Sequence, residues 1–294
     1  MESRPNVAST EYIKKAVEII SNFTTKPFCC LLGGDVLWLK DNVEIIKHFN
    51  NLEVPYGFQT CACDAIKMEE LSPHLKNLSI SIDPAPGNDY FRWKKAVMGM
   101  FWAGKLQEKG TDIHCVITVD RNNIDYVLPT VKMLTEIGLW VEITTVHWSK
   151  GNQWDLVPSK DICNGFLDGD IVKLKKLSAQ LVMMKESGAK IHSTKEFLLA
   201  IPEYAINLNW RCDSPYNLTL DTDLSCRLCL HMAGEKVPKW SIFDLADERS
   251  WDDFRSDWKY DQDKYCNNCF WDCQYELQST IKKGLEDSWV HHKA

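Results

Sequence analysis

The 294-residue sequence contains no uninterrupted apolar run approaching the roughly 20 residues a membrane-spanning helix needs, which excludes integral insertion of that kind. Its first ten residues, MESRPNVAST, hold no apolar signal core and lead straight into an amphipathic stretch, so export is not expected and the protein is read as cytoplasmic. No block of like charge stands out. Lys and Arg number 34 against 41 Asp and Glu, a formal net charge of −7, which speaks against a nucleic-acid surface as the main purpose. Internal repeats and low-complexity tracts are absent as well. With 45% apolar and 26% charged residues, the chain has an ordinary globular composition and ample length to bury a core. What it does have in quantity is cysteine, 12 in all. In a reducing compartment, dense cysteine reads as metal or redox chemistry before it reads as disulfide.

The first two-thirds alternate helical and strand-like segments. Ile13, Val17 and Ile20 fall at helical spacing within Ser9–Asn22, with Ser9 or Thr10 placed to cap the amino end. The run PFCCLL (Pro27–Leu32) predicts a buried strand, ended by Gly33 and Gly34. A helix over DNVEIIKHFNN follows, then a strand near Tyr56–Thr60 and a short helix around Ala65–Leu71. Strands are expected at Leu78–Asp83, Ile113–Val119 and Trp140–His147, with helices at Phe91–Lys109 and Ile124–Ile137 between them. Strands separated by helices indicate a parallel sheet of right-handed βαβ units. Such a layout normally opens on a strand, whereas this chain opens on a helix. Beyond a loop, helices are expected at Leu167–Ser187 and Thr194–Ala200, and past Trp210 the pattern turns irregular, aromatic and rich in Asp. The spacing therefore predicts two domains, residues 1–205 and 206–294.

The cysteines divide along the same line. Cys29, Cys30, Cys61, Cys63, Cys115 and Cys163 lie upstream; Cys212, Cys226, Cys229, Cys266, Cys269 and Cys273 crowd the tail. In Cys266-Asn-Asn-Cys269-Phe-Trp-Asp-Cys273, two thiolates two residues apart can chelate one metal from a single turn, and a third can close around it. Cys226-Arg-Leu-Cys229 is a second such pair and Cys212 a further thiol; the set fits zinc and an iron–sulfur cluster alike. A small region of little periodicity also needs a staple, and a metal supplies one. Upstream, Cys29 and Cys30 point to opposite faces of a strand and read as buried thiols, while Cys61 and Cys63 face one way at a strand end. His114 and His147 read as core or rim histidines. Two strand ends carry polar candidates. Gly33-Gly34-Asp35 suits close approach of a ligand, or a turn in which the Asp caps a helix; Ser81 and Asp83, with Asp89 and Arg92 beyond, close the next.

In this order, these segments resemble the radical S-adenosylmethionine superfamily, in particular members with a C-terminal cysteine-rich SPASM or twitch extension, from about residue 9 to about residue 278. Cys30-Leu-Leu-Gly-Gly-Asp35 resembles the family's strand-end GGE motif, with Asp35 in place of Glu and Val36 in place of Pro. Leu78-Ser-Ile-Ser-Ile-Asp83 followed by Asp89-Tyr-Phe-Arg92 resembles its S-x-D-G…R segment, with Pro84 where Gly is commoner. Val119-Asp-Arg-Asn-Asn-Ile-Asp125 resembles the N-x-x-E/D start of a later helix. Trp210-Arg-Cys212, Leu220–Cys226 and Cys266–Glu276 resemble the cysteine runs of the extension. The resemblance implies a partial (β/α)6 barrel missing its first strand, with a small irregular metal-binding extension. It also implies S-adenosylmethionine at the carboxyl ends of the strands. Gly33, Gly34 and Asp35 would meet the methionine amino group, and Ser81, Asp83 and Arg92 would lie along the ribose and carboxylate. Cys212, Cys226, Cys266, Cys269 and Cys273 would hold one auxiliary [4Fe–4S] cluster, with zinc the alternative.

The resemblance also expects a CxxxCxxC loop after the family's first strand, whose thiolates hold the cluster that cleaves the cofactor. The sequence contains no CxxxCxxC. Its expected place lies ahead of the first helix, so the missing strand and the missing motif are one absence, met twice. The sequence is therefore read as the larger part of an enzyme acting on a peptide, a protein or a small molecule. Its N-terminal piece is taken to be lost, misannotated or encoded separately. No catalytic residue is named. Two other readings stand beside it: a non-catalytic remnant serving as a scaffold subunit with a cysteine-bound metal, and a zinc-stabilised α/β protein of unrelated mechanism.

Overall fold

A computed structural model describes residues 9–22, 29–31, 35–84, 90–146, 165–212, 219–220, 224–227, 240–245, 248–265, 270, 272, 275–276 and 278–279. Ser9 caps α1 (Thr10–Ser21) through its side chain, which accepts from the Tyr12 N–H, and Ala16, Val17 and Ile20 form the buried stripe. The elements that follow are β1 (Cys29–Leu31), α2 (Asn42–Asn51), β2 (Tyr56–Thr60), α3 (Ala65–Leu71), β3 (Asn77–Ser81), α4 (Tyr90–Glu108), β4 (Asp112–Val119), α5 (Ile124–Glu136) and β5 (Trp140–Thr145). These strands are hydrogen-bonded in chain order, β1-β2-β3-β4-β5. The ladders β1/β2, β2/β3 and β4/β5 are parallel. The result is an α/β fold built on a parallel sheet, as strand–helix alternation requires and consistent with a partial barrel. Among the described residues no helix is long and apolar enough to cross a membrane.

The chain forms two compact units, and the division falls within β3 and β4. The first unit comprises residues 1–80, 105–113 and 217–266. Its core includes Ile20, Ile45, Phe49, Phe58, Met68 and Leu78, all nearly or fully buried. The tail contributes more order here than its sequence pattern suggests. A short antiparallel ladder joins β6 (Thr219–Leu220), β7 (Ser225–Arg227) and β8 (Trp240–Ser241). Helix α8 (Glu248–Tyr265) then buries Phe254 and Trp258, one turn apart, with the Trp240 ring 5.7 Å from that of Phe254.

The second unit comprises residues 81–104, 114–216 and 267–294. Alternation sets its two strands: Cys115, Ile117, Val119, Val141 and Ile143 are buried on one face, while His114, Thr118 and Glu142 alternate with them on the other. Helices α6 (Ile171–Glu186) and α7 (Lys195–Asn207) pack against each other. Pro202 lies inside α7, which runs on to Asn207 and stops only where Leu208 turns left-handed, at φ 45°. That helix is longer than the segment ending at Ala200 expected from the sequence, because its buried residues Phe197, Leu198, Ile201, Ala205 and Ile206 hold it across the proline. Phe270, fully buried, stacks on Phe197 at 5.1 Å and meets Tyr204, Trp210 and Tyr275, so the last described residues are anchored on α7.

Candidate functional site

The candidate site begins at the carboxyl ends of β1 and β2. Asp35 lies four residues beyond Leu31 and caps the short turn Val36–Trp38, its Oδ1 accepting from Leu37 N–H at 3.0 Å. The same carboxylate reaches the end of β2. Its Oδ1 accepts from the Thr60 hydroxyl at 2.6 Å, and its Oδ2 accepts from Cys61 N–H at 2.9 Å and from the Cys61 thiol at 3.1 Å. Four donors meet about the four lone-pair sites a carboxylate offers. Burial alone would raise the Asp35 carboxyl, but the hydrogen bonds from Thr60, Leu37 and Cys61 outweigh it and hold the group below the usual carboxylate range. Asp35 is thus a half-buried anion with its orientation locked.

Cys61 and Cys63 turn to the same side, as their spacing predicts, with their sulfurs 3.1 Å apart. The residue between them, Ala62, takes a left-handed φ of 51° and is buried, its N–H bonded to Thr60 Oγ1 at 2.9 Å. Such a conformation costs a non-glycine residue about 1–2 kcal/mol, and the Asp35–Thr60 lock holds it in place. Donor atoms of Asp35, Cys61 and Cys63 lie within 4.8 Å of one another, a spacing that a metal could bridge. Burial, with the hydrogen bonds to Cys63 and Asp35, pushes the Cys61 thiol up to about 12. In this state the cluster is a hydrogen-bonded lock between two strand ends, with Cys61 as donor and Asp35 as acceptor.

Ser81 is the last residue of β3 and Asp83 lies two beyond it; both are half-buried. They belong to the second unit, whereas Asp35 belongs to the first. Arg92 lies in α4, though its side chain is outside the described residues, as are Gly33 and Gly34. Of the five tail cysteines expected to ligate a cluster, Cys212 and Cys226 are described, and both are buried. Burial, and behind it the charge of Asp244, pushes the Cys226 thiol up to about 12. A thiol so placed becomes a thiolate when a bound metal takes the proton's place. Cys212 falls in the second unit and Cys226 in the first; Cys266, Cys269 and Cys273 lie outside the described residues.

In open α/β sheets, ligands bind outside the carboxyl ends of the parallel strands, which is where Asp35, Cys61 and Cys63 lie. No protein-family model and no curated protein matches the sequence. The fold is similar to that of Streptococcus suis SuiB bound to S-adenosylmethionine, with a TM-score of 0.61 and 12% identity over 87% of this chain and 62% of SuiB. It is likewise similar to SuiB bound to its precursor peptide SuiA (TM-score 0.60, 11% identity, 87% of this chain and 62% of that one). A third neighbour is anSMEcpe with bound AdoMet and the Cp18Cys peptide (TM-score 0.58, 14% identity, 86% of this chain and 74% of that one). These neighbours are radical S-adenosylmethionine enzymes. The chain spans less than two thirds of SuiB, and at such identities the likeness shows the fold alone.

Proposed function

We propose that the chain is the larger part of a radical S-adenosylmethionine enzyme that modifies a peptide or protein, with small-molecule substrates the secondary option. The observation that carries this reading is the fold, which is similar over 87% of the chain to an enzyme crystallised with S-adenosylmethionine and with a peptide. The strand-end chemistry fits the cofactor. Asp35 is an ionised, oriented carboxylate of the kind an ammonium group seeks, and its weakest donor, the Cys61 thiol, is the one an ammonium can displace from Oδ2. Gly33 and Gly34 would allow close backbone approach, and Ser81, Asp83 and Arg92 would bind the ribose and carboxylate. Cys212, Cys226, Cys266, Cys269 and Cys273 would hold an auxiliary cluster, within a second domain that begins near residue 206.

When bound, the cofactor with its cluster supplies the radical chemistry. The contribution of this chain's residues is to orient the cofactor and seal its surroundings. The CxxxCxxC segment is, in this proposal, supplied from outside these 294 residues, and the assembly works in the cytoplasm. Calorimetric titration of the chain with S-adenosylmethionine tests the pocket. Binding is expected, weakened at least tenfold by Asp35→Ala. No binding by a chain whose tail metal centre is intact would overturn the reading in favour of a scaffold subunit. Metal analysis after anaerobic purification tests the tail: about four irons per chain supports a cluster, whereas a single zinc reduces the tail to a staple.

A further inference from the structure

A second group of metal-ligating side chains lies in the second unit, and it owes nothing to the strand ends or to the tail cysteines. His114 is on β4 and Glu142 on β5. The parallel register pairs His114 with Trp140 and Val116 with Glu142, so His114 and Glu142 are diagonal neighbours on one face. The third member arrives from the opposite side of β5. Residues 190–193 run alongside that strand: Val141 N–H donates to Lys190 O at 2.8 Å, His192 N–H donates to Val141 O at 2.7 Å, and Ile191 bridges Val141 in parallel. Ile191 therefore shares the buried face with Val141, and His192 shares the other face with Glu142. Ser193 fixes this strap, its hydroxyl accepting from Ile143 N–H at 2.8 Å while itself fully buried.

The two imidazoles reach toward each other from β4 and from the strap, their ring centroids 4.4 Å apart. A donor atom from each of His114, Glu142 and His192 lies within 4.8 Å of the others, and all three residues are half-buried. Around a tetrahedral zinc, bonds of 2.0–2.1 Å set donors about 3.4 Å apart, a contraction that side-chain rotation can supply. The Asp272 and Glu276 carboxyls lie close enough to act electrostatically on Glu142, so three acids share one neighbourhood. Glu276 is held there by Thr194 N–H, which donates to its Oε1 at 2.7 Å. Lys185, whose charge acts on Glu276, donates from its ammonium to Ile191 O at 2.7 Å.

We propose that His114, Glu142 and His192 form a binding site for one divalent transition-metal ion of the zinc class. Two imidazoles and one carboxylate are the donor set of a zinc site that keeps an open position, and of three-donor iron(II) sites as well. The ion would tie β4, β5 and the 190–193 strap together and favour the ionised form of the Glu142 carboxyl over the protonated one. This site stands apart from the S-adenosylmethionine reading and does not depend on it.

The test is titration of the full chain, stripped of metal by chelation, with cobalt(II) followed by zinc. Cobalt on this site gives visible ligand-field absorption without the near-ultraviolet thiolate-to-cobalt band, whereas cobalt on the tail cysteines carries that band. The two populations are therefore separable in one spectrum. One equivalent lacking the thiolate band is expected, displaced by zinc. In His192→Ala and in Glu142→Gln its affinity should fall beyond the 10–100-fold that loss of an outer partner costs a metal site. Glu142→Gln keeps the side chain's shape, so it decides the matter even where a histidine variant folds poorly. Cobalt bound only with the thiolate band, or bound to Glu142→Gln as tightly as to the parent chain, would overturn the proposal.

Discussion

Two polar clusters on strands of the parallel sheet have similar membership and opposite character. At the end of β1, the Asp35 carboxylate collects four donors from its own turn and from Thr60 and Cys61, and its acidity increases. On β5, burial and the neighbouring Asp272 and Glu276 push the Glu142 carboxyl up to about 8, against a lesser opposing pull from His114. Burial acts on both carboxyls in the same direction. The difference lies in the neighbours: N–H, O–H and S–H groups in the first case, further acids in the second. Donors turn a buried carboxyl into a stable anion, while further acids leave it short of positive charge. The first cluster is complete with the protein's own groups. The second is completed by a cation.

The largest effect should come from breaking the complete cluster. Asp35→Ala leaves the Thr60 hydroxyl and the Leu37 and Cys61 N–H groups without their acceptor, and part of that loss is recovered from water. A destabilisation of about 2 kcal/mol is expected from urea unfolding. Asp35→Asn should cost nearly as much, because its amide nitrogen would face the Cys61 N–H, donor against donor. Acid provides the matching test. A carboxyl held below its unfolded value stabilises the fold above that value, and the contribution fades as pH falls through the lowered one. The parent chain should therefore lose unfolding midpoint below about pH 4, while Asp35→Asn shows a flatter profile there. An acid profile identical in both would mean that the four donors do not act on this carboxylate.

A middle-sized effect is expected at the strap of the second cluster. Ser193 is fully buried, and Ser193→Ala strands the Ile143 N–H that its hydroxyl accepts from at 2.8 Å. The expected cost is about 1–3 kcal/mol. Because the same residue fixes the segment that carries His192, cobalt affinity should fall with it. Full loss of stability with unchanged cobalt binding would place His192 outside the site.

The two clusters also differ in how far the sequence exposes them. Asp35 is conspicuous after Gly33 and Gly34, and Cys61 and Cys63 are visible as a same-face pair at the end of a strand whose bounds, Tyr56–Thr60, follow from alternation. Their meeting depends only on neighbouring parallel strands. His114, by contrast, reads as an isolated strand histidine, and neither Glu142 nor His192 belongs to a motif. The bridge from Ile191 to Val141 is what brings them together, and a single bridge leaves no periodic trace. The one available signal was a polar residue at alternate positions of otherwise apolar strands. Helix α8 hides for another reason. Its Asp-rich surface masks the helical spacing of Phe254 and Trp258, which the buried side of the helix makes plain.

The smallest change in stability, and the one that separates the clusters by sign, is expected for Glu142→Gln. In the metal-free chain the substitution removes a carboxyl that burial and two acids disfavour, and it keeps the side chain's size. Stability should stay within about 0.5 kcal/mol of the parent or rise, in contrast to Asp35→Asn. Zinc reverses the order. Ligand that binds only the folded state stabilises by mass action, so the parent chain should gain melting temperature on adding zinc and Glu142→Gln should gain less. The comparison is made in a chain whose tail cysteines are blocked or already loaded, so that the gain reports on the His114 site alone. If Glu142→Gln instead destabilises the metal-free chain as much as Asp35→Asn does, Glu142 is a satisfied structural carboxyl, and the two clusters are of one kind.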